Sequence, residues 1–164
     1  MTQTELTKLV KLLKDKELTV AFAESCTAGM LASEFVRAKG SSDVLKGGLV
    51  VYQPEVKQKL LGVKKKTLEL YTAESQQVTN EMVMGLKKLL NADINIATTG
   101  LAGEGGSENP EKPVGTMFIS ILYDGKAEEF REVFQGNTES VRKQLVDYIL
   151  QKLQIIVDDH YNSR

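Results

Sequence analysis

Apolar residues Leu6, Leu9, Val10 and Leu13 recur at helical spacing behind Thr2 and Glu5, a pair with the form of a capping box, and predict an amphipathic opening helix. Leu18 to Ala23 is short and apolar, with Val20 and Phe22 inside it, which suits a buried strand. Thr27 to Ala38 returns to helical spacing through Leu31, Phe35 and Val36, so Ser25 is expected at a strand-to-helix junction. Leu49 to Tyr52 reads as a second strand. Pro54 then stands at a first helical position and Gly62 at a C-terminal stop, which predicts a short helix over 54–61. Ser75 to Leu90 carries Val78, Met82, Leu86 and Leu89 on one face, and Asp93 leads into a buried strand over 94–98. Gly115 to Leu122 and Ala127 to Phe134 flank Asp124-Gly125, a favoured pair for a tight turn, and predict an antiparallel hairpin. Asn137 can cap a last helix bearing Val141, Leu145, Ile149 and Leu153, with a polar tail expected from about 158 to 164.

Strands alternating with amphipathic helices, and apolar enough to need cover on both faces, predict an α/β protein. The expected form is a three-layer α/β/α sandwich around a mixed, mostly parallel sheet, built as a single domain over 1–164. No internal repeat or linker interrupts the chain. The stretch from Gly100 to Gly115, with five glycines and two prolines, is too long for an ordinary connection and is marked as a functional or disordered loop.

Charge narrows the partners. Lys and Arg number 21 against 22 Asp and Glu, which disfavours nucleic acid or an anionic membrane as the main partner. A single cysteine cannot close an internal disulfide, the N-terminal segment lacks the apolar core of a secretion signal, and no apolar run approaches the roughly 20 residues that span a bilayer. A soluble cytoplasmic protein is expected, and a homo-oligomer is compatible with the sequence.

Three segments carry candidate chemistry. In Ala23-Glu24-Ser25-Cys26-Thr27-Ala28-Gly29, Ser25 lies at the C-terminal end of a strand, where open α/β sheets form their ligand crevices, and free N–H groups of the next helix could hold an anion or oxyanion. Ser25 is a candidate nucleophile; the plainer reading is that Ser25 or Thr27 caps the helix. Cys26 is a rival nucleophile or a small buried filler. In Tyr52-Gln53-Pro54-Glu55-Val56-Lys57, a lysine in the first helical turn faces the positive end of the helix dipole, which lowers its pKa. If also desolvated, Lys57 could take a proton from a serine, with the Tyr52 phenol as relay; the plainer reading is a surface lysine. The sole histidine, His160, lies in the expected tail, so a Ser-His-Asp triad has no base. The third segment runs from Thr98-Thr99-Gly100 through Gly103, Gly105 and Gly106 to Thr116. Its glycines allow main-chain N–H groups to approach an anion, and the alternative is a flexible loop. It matches no dinucleotide or P-loop pattern, and no residue cluster resembles a metal site.

Together these segments resemble the C-terminal domain of the CinA family, the competence and damage-inducible group that includes nicotinamide mononucleotide amidohydrolases. The resemblance runs through Ala23-Glu24-Ser25-Cys26-Thr27, Gly40-Ser41-Ser42, Gly47-Gly48-Leu49-Val50-Val51-Tyr52, Lys57 and Leu61-Gly62-Val63. It continues through Thr99-Gly100-Leu101-Ala102-Gly103, Lys112-Pro113-Val114-Gly115-Thr116 and Phe134-x-Gly136. It implies hydrolysis of the carboxamide of nicotinamide mononucleotide to nicotinate mononucleotide and ammonia, with no metal or cofactor. It further implies Ser25 as nucleophile, Lys57 as base, Tyr52 as its assistant and main-chain N–H groups near Ser25 and Cys26 as the oxyanion site. Cys26, Thr27, Thr99, Gly100, Gly103, Gly105, Gly106, Thr116 and Arg142 are the expected substrate-binding residues.

The chain departs from the family pattern in three places. Thr27-Ala28-Gly29 stands where Thr-Gly-Gly is common, and the extra methyl is expected to crowd the pocket. Glu104-Gly105-Gly106 stands where a proline-containing glycine turn is common, and Glu104 is expected to repel a phosphate. Gly136-Asn137-Thr138 replaces Gly-Asp-Arg, leaving Arg142 one turn later either to supply that charge or to be a solvated helix residue. Two other functions therefore stand beside the leading one: a catalytically silent relative that binds a nucleotide or protein partner, and an amidohydrolase for a different small amide.

Overall fold

The computed structural model of the chain describes residues 1–162, with side chains to residue 159; Ser163 and Arg164 of the expected tail lie outside the described residues. Its five strands form one sheet in the order β2-β1-β3-β4-β5. They are β1 (Val20–Glu24), β2 (Leu45–Val50), β3 (Ile94–Gly100), β4 (Thr116–Tyr123) and β5 (Lys126–Val133). β1 pairs parallel with β2 and β3, while β3–β4 and β4–β5 are antiparallel, so four strands run one way and β4 runs against them. Asp124 and Gly125 both take positive φ, 49° and 75°, as the tight turn between β4 and β5 requires.

Helices cover both faces, as the apolar strands demand. Period-two alternation in β1 sends Val20 and Phe22 to a core shared with α1 (Gln3–Asp15), α2 (Met30–Phe35) and α6 (Thr138–Asn162). Ala21 and Ala23 face the opposite core, built on α3 (Pro54–Leu61) and α5 (Gln76–Leu90). The layers are therefore helix, sheet, helix. The same alternation, continued past the strand, places Glu24 on the α2 side and Ser25 on the α3 side.

Several boundaries differ from the sequence expectation. The helix expected over 27–38 spans only Met30–Phe35, because Ala28 (φ 50°) and Gly29 (φ 94°) turn the chain left-handed first. β2 begins earlier than expected and ends before Tyr52. It is an edge strand of alternating exposure, and Gly47 and Gly48 thin its apolar signal. A helix not foreseen, α4 (Lys65–Tyr71), has no fully buried residue and so no apolar stripe to betray it. α6 continues through His160 to Asn162 where a polar tail was expected from 158. The capping box at Thr2 and Glu5, the helix over 54–61 with Gly62 at its end (φ 68°), and the Asn137 cap on Ser140 N–H (2.9 Å) match expectation. Among the described residues no helix is long and apolar enough to cross a membrane.

Gly85 is where α5 lies against the end of α3. A Cβ added there would stand 1.9 Å from the Leu61 carbonyl oxygen, so one helix must retreat from the other. Gly85→Ala is expected to lower stability by about 2 kcal/mol in urea denaturation, within the usual range for overpacking. An unchanged midpoint would show that this helix contact is looser than described.

Candidate active site

The C-terminal ends of the parallel strands β2, β1 and β3 meet at one edge, where strand order reverses about β1, the place at which open α/β sheets bind ligands. Ser25 follows β1, Tyr52 follows β2, and the glycine loop follows β3. Together they line a cleft of about 410 Å³, whose remaining wall includes Glu74, Thr138 and Arg142. That volume suits a small-molecule ligand.

Lys57 is the centre of this edge. It lies in the first turn of α3 with 1% of its surface exposed, so it is not a surface lysine. Its Nζ donates to the Val51 carbonyl at 2.7 Å and the Tyr52 carbonyl at 2.9 Å, and lies 2.9 Å from Ser25 Oγ. As an ammonium it serves all three acceptors. As a neutral amine, with both N–H groups held by the carbonyls, it turns its lone pair to the serine hydroxyl. Burial pulls its pKa down to about 8, opposed by the negative charge of Glu74. Desolvation, rather than the helix dipole invoked from sequence, leads this shift.

The capping reading of Ser25 and Thr27 is not what is found. Neither hydroxyl caps α2; Thr27 Oγ1 is buried, has no partner, and lies outside the cleft wall. The α2 N–H groups are taken instead by Glu24, whose carboxylate, 1% exposed, accepts from Gly29 (3.0 Å), Leu31 (3.0 Å) and Ala32 (2.9 Å). The helix N-terminus is thus already occupied by an internal anion and is not open to a ligand. Glu24 accepts from neither the Cys26 nor the Thr27 N–H group.

Cys26 lines the cleft, but burial pushes its thiol up to about 12, and its Sγ rests 3.6 Å from Met117 Sδ. It is a packed thiol and a poor nucleophile at neutral pH.

The glycine loop contributes less than the sequence suggested. Gly100, Gly103, Gly105 and Gly106 line the cleft, and a Cβ at Gly100 would come 2.6 Å from the Thr116 carbonyl oxygen. Thr99 does not reach the cleft: its place in the β3 alternation turns it to α5, where its hydroxyl shares a 2.8 Å bond with Thr79. Thr116 bonds the Pro113 carbonyl at 2.6 Å and also lies outside the cleft. Gly105 N–H is engaged by Glu108 at 2.8 Å, which holds that carboxyl below its ordinary pKa.

Arg142 does line the cleft, and its buried Nε has no hydrogen-bond partner. An unpartnered guanidinium nitrogen at a cleft wall is suited to an anion. Tyr52 is 53% exposed; it meets Lys57 through its main-chain carbonyl, and its phenol makes no hydrogen bond to Lys57 or Ser25.

Sequence reasoning missed Glu74, gave no role to Glu24 and Lys112 although both stand in the quoted motifs, and met Thr138 only as a departure from the family pattern. Lys112 Nζ donates to Thr72 Oγ1 (2.8 Å), the Glu74 carbonyl (2.9 Å) and Ser107 Oγ (2.7 Å), and so ties the glycine loop to the segment before α5. Of these only Glu24 had a local signal, as a carboxylate ending an otherwise apolar strand. Among the described residues no three His, Cys, Asp or Glu side chains gather closely enough to hold a metal ion.

An α/β/α domain with a cleft serine meeting a buried lysine at the ends of its parallel strands is the class these observations define. The family model described as CinA C-terminal domain matches residues 2–157, and the chain belongs to that family. It is 45% identical over 146 residues to a CinA-like protein of Thermotoga neapolitana, covering 89% of this chain and 35% of that protein. A CinA-like protein of Petrotoga mobilis is 39% identical over 158 residues, covering 96% of this chain and 38% of that protein. The chain thus spans about a third of the length of these curated relatives. Solved structures of similar size also match. The competence damage-inducible protein A of Klebsiella pneumoniae superposes with a TM-score of 0.88 at 33% identity, covering 94% of this chain and 96% of that one. A competence/damage inducible protein of Agrobacterium tumefaciens gives 0.88 at 30% identity, covering 95% of both.

Ala28 departs from the family pattern in a way the structure redefines. Its methyl is exposed and lies outside the cleft wall, so it does not crowd the pocket; the cost is its left-handed backbone, φ 50°. Ala28→Gly is expected to raise stability by about 1 kcal/mol in thermal or urea unfolding. A destabilised glycine variant would contradict the strained backbone at this turn.

Proposed function

We propose that this chain is a cytoplasmic amidohydrolase that converts nicotinamide mononucleotide to nicotinate mononucleotide and ammonia. The observation that carries the reading is the 2.9 Å approach of Lys57 Nζ to Ser25 Oγ, with two main-chain carbonyls holding the amine in place. Ser25 Oγ attacks the carboxamide carbon as its proton passes to the neutral Lys57 amine. Main-chain N–H groups near Ser25 and Cys26 receive the carbonyl oxygen as it becomes an oxyanion. Lys57 returns its proton to the leaving nitrogen, the carbon–nitrogen bond breaks, and ammonia departs from a Ser25 ester. Water then gives a proton to Lys57 and attacks the ester. The carbon–oxygen bond to Ser25 breaks, the serine regains its proton, and the acid leaves.

Arg142 pairs with the substrate phosphate, with Gly103 and Gly106 allowing close approach. The Tyr52 ring, exposed at the cleft wall, meets the substrate, while its carbonyl orients Lys57. A second reading, a different small amide as substrate, is favoured by the engagement of Thr99, Thr116 and Gly105, which leaves fewer groups for a phosphate. The reading of a silent relative gains nothing from the intact Ser25–Lys57 contact.

Purified protein is expected to release ammonia from nicotinamide mononucleotide, with Ser25→Ala and Lys57→Ala each lowering kcat by at least about 10³-fold. Only the neutral amine can accept the proton. The rate should therefore climb about tenfold per pH unit below about 8, where Lys57 is mostly charged, and level off above it. An active Ser25→Ala protein would end the reading. Binding without turnover would favour the silent relative, and turnover of unphosphorylated amides alone would favour the second reading.

A further inference from the structure

The cleft contains a charge that the proposed reaction leaves unused. Glu74, partly buried just before α5, lines the same cleft as Ser25, Tyr52 and Arg142. Its Oε2 accepts a 2.6 Å bond from Ser107 Oγ, and its main-chain carbonyl accepts from Lys112 Nζ at 2.9 Å. Lys112 also holds Ser107 Oγ at 2.7 Å, so Glu74 is held through both its side chain and its main chain. Its other oxygen, Oε1, takes no hydrogen bond from the described residues.

A fixed carboxylate on the wall of a ligand cleft favours a cation there. Neither nearby amine hydrogen-bonds the carboxylate: Lys112 reaches it only through Ser107 Oγ and the Glu74 main-chain carbonyl. Lys57 feels the Glu74 charge, yet its three hydrogen-bonding positions are spent on Ser25, Val51 and Tyr52. The exposed Tyr52 ring on the same cleft adds a π face, which also favours positive charge. Arg142 supplies the opposite sign. Glu74, whose charge reaches the Lys57 amine, and Glu104 on the same wall favour positive charge in the cleft, while Arg142 offers a cation to an anionic group.

We propose that Glu74 is a specificity-determining residue, whose carboxylate selects amides borne on a cationic ring over neutral amides of the same shape. This rests on the amide-hydrolysis reading of the Ser25–Lys57 pair. The ring charge would serve both steps, pairing with Glu74 on binding and withdrawing electrons from the carbonyl that Ser25 attacks.

The test is calorimetric titration in a Ser25→Ala background, so that nothing turns over, with Glu74 intact or as Glu74→Gln. Glutamine keeps an oxygen for Ser107 and removes only the charge. One probe pair is nicotinamide mononucleotide and its reduced form, which has a neutral dihydropyridine ring. The other is 1-methylnicotinamide and its neutral dihydro form, which lack the phosphate. With Glu74 present, the cationic member of each pair is expected to bind about tenfold more tightly, and Glu74→Gln should erase that preference while leaving the neutral member unchanged. A preference that survives Glu74→Gln would overturn the proposal. Equal losses for charged and neutral probes would also overturn it, since a loosened loop gives that result. If neither mononucleotide binds but the short cationic amide keeps a Glu74-dependent preference, the mononucleotide reading falls and the role of Glu74 stands. If no probe shows a preference with Glu74 present, the proposal falls.

Discussion

A lysine amine with almost no contact with water, pinned by two main-chain carbonyls and aimed at a serine hydroxyl, is the constraint around which this edge of the sheet is built. Burying an ammonium is costly, and the fold reduces the cost by supplying acceptors and by letting the amine lose its proton more easily. Those acceptors, Val51 and Tyr52, lie in the turn between β2 and α3. The turn is in turn held to β1, because Val51 N–H bonds the Glu24 carbonyl at 2.8 Å. The serine, the amine and the carbonyls that orient the amine thus share one short stretch of backbone hydrogen bonding.

Glu24 performs a second task at the same point. A helix beginning behind a strand-end serine presents N–H groups that would draw an anion to the wrong place. Glu24 fills them with a buried carboxylate, fixes the left-handed turn through Ala28 and Gly29, and leaves Ser25 free to face Lys57. Glu108 does something similar at Gly105 in the glycine loop. With both anion-attracting backbone sites satisfied internally, Arg142 stands on the cleft wall with an unpartnered Nε, and Glu74 lines the same cleft.

Much of the fold was legible because its elements carry strong periodic signals. Val20 and Phe22, Ile94 and Ile96, and Val78, Met82 and Leu86 of α5 declared their faces, although Leu89, expected on the same stripe, is exposed at the end of that helix; Asp124-Gly125 announced its turn. Elements without an apolar stripe were hidden, as with the charged α4 and the glycine-thinned β2. In the site, residue type and position marked Ser25 and Lys57 as candidates beside plainer readings, and Arg142 came only through the family resemblance; the structure brings Ser25 and Lys57 together and puts Arg142 on the same cleft. Thr99 and Thr116 were misjudged because residue type does not reveal which face of a strand a hydroxyl takes; both spend their bonds inside the fold. Glu74 and the role of Lys112 were invisible in sequence, since their importance comes from a loop and a segment before a helix that lie far apart in the chain. The cause of the Lys57 shift was equally hidden, because burial is a property of the assembled layers.

The most direct measurement of the central claim is an NMR titration of the Lys57 side chain, following its ¹³Cε shift in selectively labelled protein. A midpoint near 8 is predicted, together with a change in the Lys57 signal when Ser25 is replaced by alanine. A midpoint near the ordinary lysine value of about 10.4, insensitive to the serine, would show an amine that stays charged and cannot accept the hydroxyl proton.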